Sequence, residues 1–391
     1  MLLTIIVFFL ILGLLVLVHE LGHFVVARRN GVTAEEFGFG FPPRLIGTYR
    51  DRNGKRKWVF GNKQIEEEIK DKEETIYSIN AIPLGGFVKI KGEDGEDKGD
   101  PKSFAAQSIW KRFKILSAGV FMNFVLGFVL FVIAFMIGLP EVIDDADQVP
   151  GSKIQVAEIA ADSPASAAGL QIGDELVMVS VAETDIQPKT IAQFQEITKQ
   201  YAGSEITLKV KHPGDENIVE SKVTPRLNPP EGEGALGIVL VKTAFVPHGP
   251  FESVKRAAET TYNMISAIIL FLGDLLARIF TGRKVEADVA GPIGIAVLTG
   301  QVTKMGFAYI LQFAAMLSLN LGVINFFPFP ALDGGRVLFL LIEKIKGSPV
   351  SQKLEGIIHM AGFMFLIGVM ILVTIRDFMN FDILDRIKGI F

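Results

Sequence analysis

Two histidines and a glutamate in an otherwise hydrocarbon stretch, Val18-His19-Glu20-Leu21-Gly22-His23, are the residues of this chain best suited to chemistry. On a helix His19 and His23 share one face and can hold one zinc ion, with Glu20 alongside as a general base. The motif is short enough to arise by chance in a soluble helix, but its setting is not that of one. Residues 2–18 form an unbroken run of about 17 in which Thr4 is the only polar side chain, enough to cross most of a bilayer's hydrocarbon core. Ionisable groups at the end of such a run cost several kcal/mol, which favours a functional role over a histidine pair satisfied by neighbouring helices.

Composition bounds the setting. The 391 residues are 49% hydrophobic, and the excess is concentrated in a few segments, the pattern of a multi-pass membrane protein. A net charge of −4, with basic residues in loops rather than in one aromatic-laced stripe, argues against nucleic acid as a partner. With no cysteine, a metal must rest on His, Asp, Glu or backbone oxygen.

The elements that must position the motif follow in order. Arg28 and Arg29 at the far end of the first span put that end in the cytoplasm by the positive-inside rule, with the motif about 25 Å along the helix. Gly38-Phe39-Gly40-Phe41-Pro42-Pro43 and the alternating residues 75–90, including Ile82-Pro83-Leu84-Gly85-Gly86-Phe87, read as strands, while the charged residues 51–74 between them read as a solvated excursion. Residues 93–100 read as a flexible acidic loop whose ligand order does not match a calcium site.

Trp110-Lys111-Arg112-Phe113-Lys114 marks an interface, and residues 115–139 form a second span with small residues at Ala118-Gly119 and a buried polar Asn123. Residues 140–150 are a polar linker. Residues 251–280 contain too short a clean apolar run, interrupted by Asp274 and Arg278, and read as an amphipathic helix on the membrane surface. Further spans are expected at residues 309–330 and 357–375.

With four spans the first and third run in the same direction, so the far end of the third lies level with His23. There the chain reads Asn325-Phe326-Phe327-Pro328-Phe329-Pro330-Ala331-Leu332-Asp333-Gly334-Gly335. Catalytic zinc takes three protein ligands and one open position, and Asp333 supplies the third. The two prolines prevent regular helix, which is tolerated at membrane depth only where backbone is covered by protein or water.

Between the second span and residue 246, the stretch from Ser163-Pro164-Ala165 to Gly173-Asp174-Glu175-Leu176 resembles a bacterial PDZ domain in a circularly permuted form. A helix over 190–201, a strand over 205–211 and a closing Leu236-Gly237-Ile238-Val239 beside a peptide groove complete it. Such grooves accept a peptide as an added strand, so the module is expected to bind rather than catalyse. Taken with His19-Glu20-Leu21-Gly22-His23, Ala290-Gly291-Pro292-Ile293 and the Asn325 to Gly335 motif, the chain resembles the site-2 protease family of intramembrane zinc metalloproteases, of the bacterial regulator-of-sigma-E protease type.

The resemblance implies Zn2+ held by His19, His23 and Asp333, Glu20 as catalytic base, Asn320 and Asn325 near the substrate strand, and a membrane-re-entrant β-hairpin over residues 38–49. An edge strand near residues 37–41 or 82–90 would hold the substrate extended. The chain departs from relatives in carrying Val120 where many have proline, and in having room for one PDZ unit where some have two.

The expected architecture is therefore a four-span α-helical membrane protein with a re-entrant β region and one inserted extracytoplasmic α/β PDZ domain. Its segments are a first span with the zinc motif (1–28), the β region with its charged insert (29–112) and a second span (113–140). Next come the PDZ domain (150–246), amphipathic helices (247–306), a third span with the Asp motif (307–335), a fourth span (357–376) and an interfacial end (377–391). The expected activity is hydrolysis of peptide bonds in or near transmembrane segments of single-span proteins in a bacterial inner membrane, as in regulated intramembrane proteolysis. A metal transporter would call for paired carboxylates or inverted repeats, which the sequence lacks, and an inactive PDZ scaffold would have no need of Glu20.

Basic residues are dense between Arg28 and Lys114 and sparser over residues 141–308, which puts the PDZ unit and both termini outside and the motif near the cytoplasmic side. A single cysteine at Ser204 of this cysteine-free chain is expected to label from the outer face only. Labelling from the cytoplasm would reverse the orientation.

Overall fold

A computed structural model describes residues 2–380 apart from 51–53, 62–74, 96, 182–183, 216, 231 and 284–289. The chain divides into two compact units, residues 1–133 with 251–391, and residues 134–250.

The first unit is built on apolar helices: α1 (Leu2–Arg29), α2 (Ile109–Ile137), then, beyond the second unit, α5 (Pro250–Thr281), α6 (Pro292–Met305), α7 (Phe307–Phe326), α8 (Asp333–Lys346) and α9 (Gln352–Asn380). α1 ends where Asn30 and Gly31 follow Arg28 and Arg29. The arginines complement the negative end of the helix dipole, and Gly31 takes the left-handed conformation (φ 80°) that lets the chain turn away.

Five of these helices, α1, α2, α5, α7 and α9, are long and apolar enough to cross a membrane. α5, expected as an amphipathic helix on the membrane surface, meets the same length and composition. Asp274 and Arg278 pair with each other one turn apart (2.6 Å) inside this unbroken 32-residue helix. α6 is too short to cross. Asp377 of α9 is buried at its start, accepting from Gly294 N (2.7 Å) and Gly291 N (3.3 Å), the backbone donors left open at a helix N-terminus.

Packed on α1 is a three-stranded antiparallel sheet in the order β2-β1-β3, made of β1 (Ala34–Arg50), β2 (Arg56–Phe60) and β3 (Ile76–Ile90). The start of β3 pairs with both halves of β1, Tyr77 opposite Phe37 and again opposite Thr48, whereas its end pairs only with the start of β1, Phe87 opposite Gly38. Phe37 and Phe39 are therefore flanked on both sides and offer no edge. Among the described residues the edges of the sheet are residues 82–90 and, at the other side, β2.

β2 is a correction to the solvated excursion: Arg56-Lys57-Trp58-Val59-Phe60 alternates, and Val59 packs with Tyr49 and Ile76 in a small buried cluster. The rest of that insert, residues 62–74, lies outside the described residues. Gly85 (φ 102°) and Gly86 let β3 press onto α1, since a methyl at Gly85 would stand 2.5 Å from Val16 Cβ. The loop over residues 93–100 is tied down rather than loose: Arg336 pairs with Glu93, and Lys91 with Asp100 (2.5 Å). The bond to Asp100 raises the Lys91 pKa and lowers that of Asp100.

The second unit is an α/β module with strand order β4-β10-β5-β6-β8-β9, and β7 on β6. Its strands are β4 (Leu139–Val142), β5 (Lys153–Ile159), β6 (Glu175–Val181), β7 (Thr184–Ile186), β8 (Ile206–Lys211), β9 (Ile218–Val223) and β10 (Ile238–Val246), with helices α3 (Pro164–Ala167) and α4 (Ile191–Gln200). Val179, Phe194, Leu208 and Val210 lie at its core. The expected linker begins as β4, which pairs with residues 243–246 of β10, so β10 keeps an open edge over Ile238–Val241 only. Leu236 corrects one expectation: its side chain belongs to the buried core and does not line a groove.

Inside the sheet of the first unit, Glu36 and Arg44 form a buried ion pair, and Ser78 Oγ donates to Glu36 Oε1 (2.5 Å). Removing one partner of such a pair leaves a stranded charge and costs about 3–5 kcal/mol. Glu36→Ala is expected to lower the thermal midpoint of the purified protein by several degrees, with Glu36→Ala/Arg44→Leu recovering part of the loss. A double variant no better than the single one would refute the stranded-charge account.

Candidate active site

His19 and His23 project from one face of α1 and are both buried, their Nε2 atoms 3.1 Å apart. Asp333 stands in the first turn of α8, where the helix dipole favours a carboxylate. Its Oδ2 lies 3.0 Å from His19 Nε2 and 3.3 Å from His23 Nε2. The three groups converge directly, without any appeal to span parity.

A zinc ion fits this donor set on two counts. Asp333 Oδ2 is buried and has no hydrogen-bond partner although it faces two imidazole nitrogens, an arrangement that a shared cation resolves. Gly119 of α2 also leaves the space beside those nitrogens open, because a methyl there would overlap His23 Nε2 and stand 2.8 Å from His19 Nε2.

The glycines also set how close the helices come. A methyl at Gly22 would run into the Ala118 carbonyl, so α1 and α2 meet backbone to backbone. That approach brings the Ile115 carbonyl to 2.8 Å from His23 Nδ1, which donates to it and leaves Nε2 as the free lone pair. Val120, at the position where proline was noted as absent, is buried within an uninterrupted α2.

His19 has a different neighbour. Asn123 of α2 is fully buried, with Nδ2 3.2 Å from His19 Nδ1 and Oδ1 without a partner. The two ends of an amide are alike in shape and are assigned from their partners. Exchanging them gives Oδ1 the His19 Nδ1 proton and removes the orphaned oxygen in one step. It also frees His19 Nε2 as a metal ligand.

The loop before Asp333 is held from outside. Ala331 adopts φ 79°, unusual for a residue with a side chain, and its N–H donates to His359 Nδ1 of α9 (2.9 Å). Gly334 and Gly335 are required because methyls there would strike the carbonyls of Phe326, Phe327 and Phe329. Sequence reasoning missed His359, whose only signal was a histidine within the fourth apolar segment.

Glu20, on α1 beside His19, opens onto a cavity of about 450 Å³ lined also by His23, Asp333, Phe87, Val88 and His359. Asn320 and Asn325 are not among its lining residues, and Asn320 Nδ2 donates back to Met316 O in its own helix (2.9 Å). Arg336, one turn beyond Asp333, pairs with Glu93 and so ties α8 to the loop that follows β3.

Apolar helices that gather two imidazoles and a carboxylate around one point, with a second carboxylate on the adjoining cavity, define the class as membrane-embedded zinc metalloproteases. The profile of peptidase family M50 matches residues 7–60 and 55–369, and the chain belongs to that family, the site-2 proteases. It is similar to proteins that carry zinc metalloprotease names. One from Brucella suis is 31% identical over 396 residues (96% of this chain, 94% of the relative). One from Clostridium acetobutylicum is 33% identical over 381 residues (96% and 97%). Zinc metalloprotease RasP of Geobacillus kaustophilus is 28% identical over 461 residues (97% and 98%).

Outer partners of zinc-binding histidines typically govern metal affinity by about 10–100-fold. Asn123→Leu is expected to weaken zinc binding by that order in chelator competition, whereas Asn123→Asp, which retains an acceptor for His19 Nδ1, holds it. Equal losses in both variants would mean that Asn123 acts by packing alone.

Proposed function

We propose that this zinc metalloprotease hydrolyses peptide bonds within or at the edge of the bilayer, in transmembrane segments of single-span membrane proteins. One observation carries the reading: Glu20 opens onto the same cavity as His23 and Asp333, so a carboxylate and the metal-ligand set face one space. His19 and His23 through Nε2 and Asp333 through Oδ2 are the groups that would hold zinc. When bound, zinc supplies Lewis acidity toward a peptide carbonyl and water. The Glu20 carboxylate takes a proton from the attacking water and returns it to the leaving amine nitrogen.

A transmembrane helix resists hydrolysis while its carbonyls are bonded internally, so the substrate must be drawn out. The open edge over residues 82–90, with Phe87 and Val88 on the cavity wall, suits strand addition. Asn320 and Asn325 on α7 are assigned to the substrate further along its path, with Asn325 steadying the strand or donating to the developing oxyanion.

The second unit is read as a PDZ-type module whose groove borders Gly237, Ile238 and Val239, with Leu236 as the core residue behind them. It acts on access, admitting substrates by the size of their external part. The enzyme belongs in the bacterial plasma membrane with this module and both termini outside and the site near the cytoplasmic side. In that reading α5, none of whose apolar window is buried, lies along the membrane surface and four helices cross.

Zinc content and cleavage of a single-span test substrate, measured together on purified variants, separate the roles. Glu20→Gln is expected to retain zinc and lose cleavage by at least about 10²-fold. Ala at His19, His23 or Asp333 is expected to lose both. Metal loss in Glu20→Gln, or undiminished cleavage by it, would reject the assignment.

A further inference from the structure

On the sheet of the first unit, cross-strand pairing puts Arg50 opposite Arg56, Thr48 opposite both Trp58 and Tyr77, and Ile46 opposite both Phe60 and Ile79. Residues paired in this way project to the same side, so these rows share one face. The other side holds the buried cluster of Tyr49, Val59 and Ile76. The shared face is open: Trp58 is 59% exposed and Phe60 62%, with Tyr77 and Ile79 also exposed.

The face is graded. At one end Arg50 and Arg56, joined by Arg28 from the last turn of α1, line a cavity of about 330 Å³ together with Thr48 and Tyr77, and no carboxylate is among the described residues lining it. Away from that end the face is aromatic and aliphatic. Two like charges directly opposite on neighbouring strands repel, a cost that an anion seated between them reverses.

α1 fixes the depth of this face. Arg28 ends a helix apolar enough to cross the membrane, so it marks the polar boundary, and its Nη1 donates to Tyr77 Oη (3.2 Å) on the sheet. The arginine rim therefore lies at the level of lipid headgroups, Trp58 and Tyr77 in the next row at the interface where such rings are favoured, and Phe60 and Ile79 in the row beyond at the level of acyl chains.

We propose that this sheet face is a binding site for an anionic phospholipid, its phosphate held in the cavity of Arg28, Arg50 and Arg56 and its acyl chains lying over Trp58, Phe60, Tyr77 and Ile79. The site is separate from the Glu20 cavity, and its test does not depend on proteolysis.

The chain has two tryptophans, so Trp110→Phe leaves Trp58 as the sole reporter. The full chain with this change is reconstituted into phosphatidylcholine bilayers containing an equal small fraction of either phosphatidylglycerol or phosphatidylcholine brominated in its acyl chains. Trp58 fluorescence is expected to be quenched by both and more strongly by brominated phosphatidylglycerol, the preference weakening as salt rises. Arg50→Gln/Arg56→Gln is expected to reduce the preference about tenfold or more while quenching by bulk lipid persists. Arg50→Lys/Arg56→Lys keeps most of the preference, and serves as the folded comparison if the glutamine variant is unstable.

No quenching by either lipid, equal quenching by both, or a preference unchanged in the glutamine variant would each overturn the proposal. Inorganic phosphate at millimolar concentration is expected to leave the preference intact. Its abolition of the preference would assign the cavity to free phosphate and reject the lipid.

Discussion

The interaction on which the apolar unit depends is the meeting of Asp333 with His19 and His23. Two buried imidazoles and a carboxylate are gathered at one point beside the Glu20 cavity, and Asp333 Oδ2 has no hydrogen bond to compensate it. A cation shared among them supplies that compensation. The features nearby serve that meeting. Gly22 and Gly119 bring α2 against α1, the Ile115 carbonyl and Asn123 fix the two rings from behind, and the Asp-Gly-Gly start of α8 fits against three carbonyls of the preceding loop.

That loop is irregular backbone beside the metal ligands. Pro328 and Pro330 deny it helix, and Ala331 is held at positive φ, which is sustainable at membrane depth only where protein encloses the chain. α9 provides the enclosure. Gly362 leaves room for Pro330, since a methyl there would be 2.6 Å from its carbonyl, and His359 receives the Ala331 N–H. A helix far from the zinc motif in sequence thus holds the third ligand in place.

What the sequence disclosed follows the range of the forces involved. The long helices are legible from hydropathy because burial in lipid is a local property of a segment. The His19–His23 pair is equally legible, because four residues of helix determine their common face. β4 and β2 are hidden for different reasons: Leu139–Val142 depends on a partner far along the chain in β10, and Arg56–Phe60 folds back on the adjacent end of β1 from within a stretch whose charge masks its alternation. Asn123 stands out as polar within an apolar helix, but that its interhelical partner is His19 depends on how α1 and α2 pack. Within α5, Asp274 and Arg278 are one helical turn apart and pair with each other, a relation that hydropathy alone does not show. The likeness to site-2 proteases carried Asn320 and Asn325 to substrate contact, and the cavity beside Glu20 does not include them.

The contact of Gly85 and Gly86 with α1 has a mechanical consequence. Most strand–helix contacts are upholstered with side chains that shift between rotamers, so the spacing they maintain fluctuates. Here the strand contributes bare main chain, and Val16 and Leu17, the residues it rests on, belong to the same helix as Glu20. The strand's half of the joint has no rotamer to shift. Phe87 and Val88 are consequently indexed to Glu20 through a few covalent bonds and one hard contact, much as a workpiece rest is bolted to the bed that carries the cutting tool.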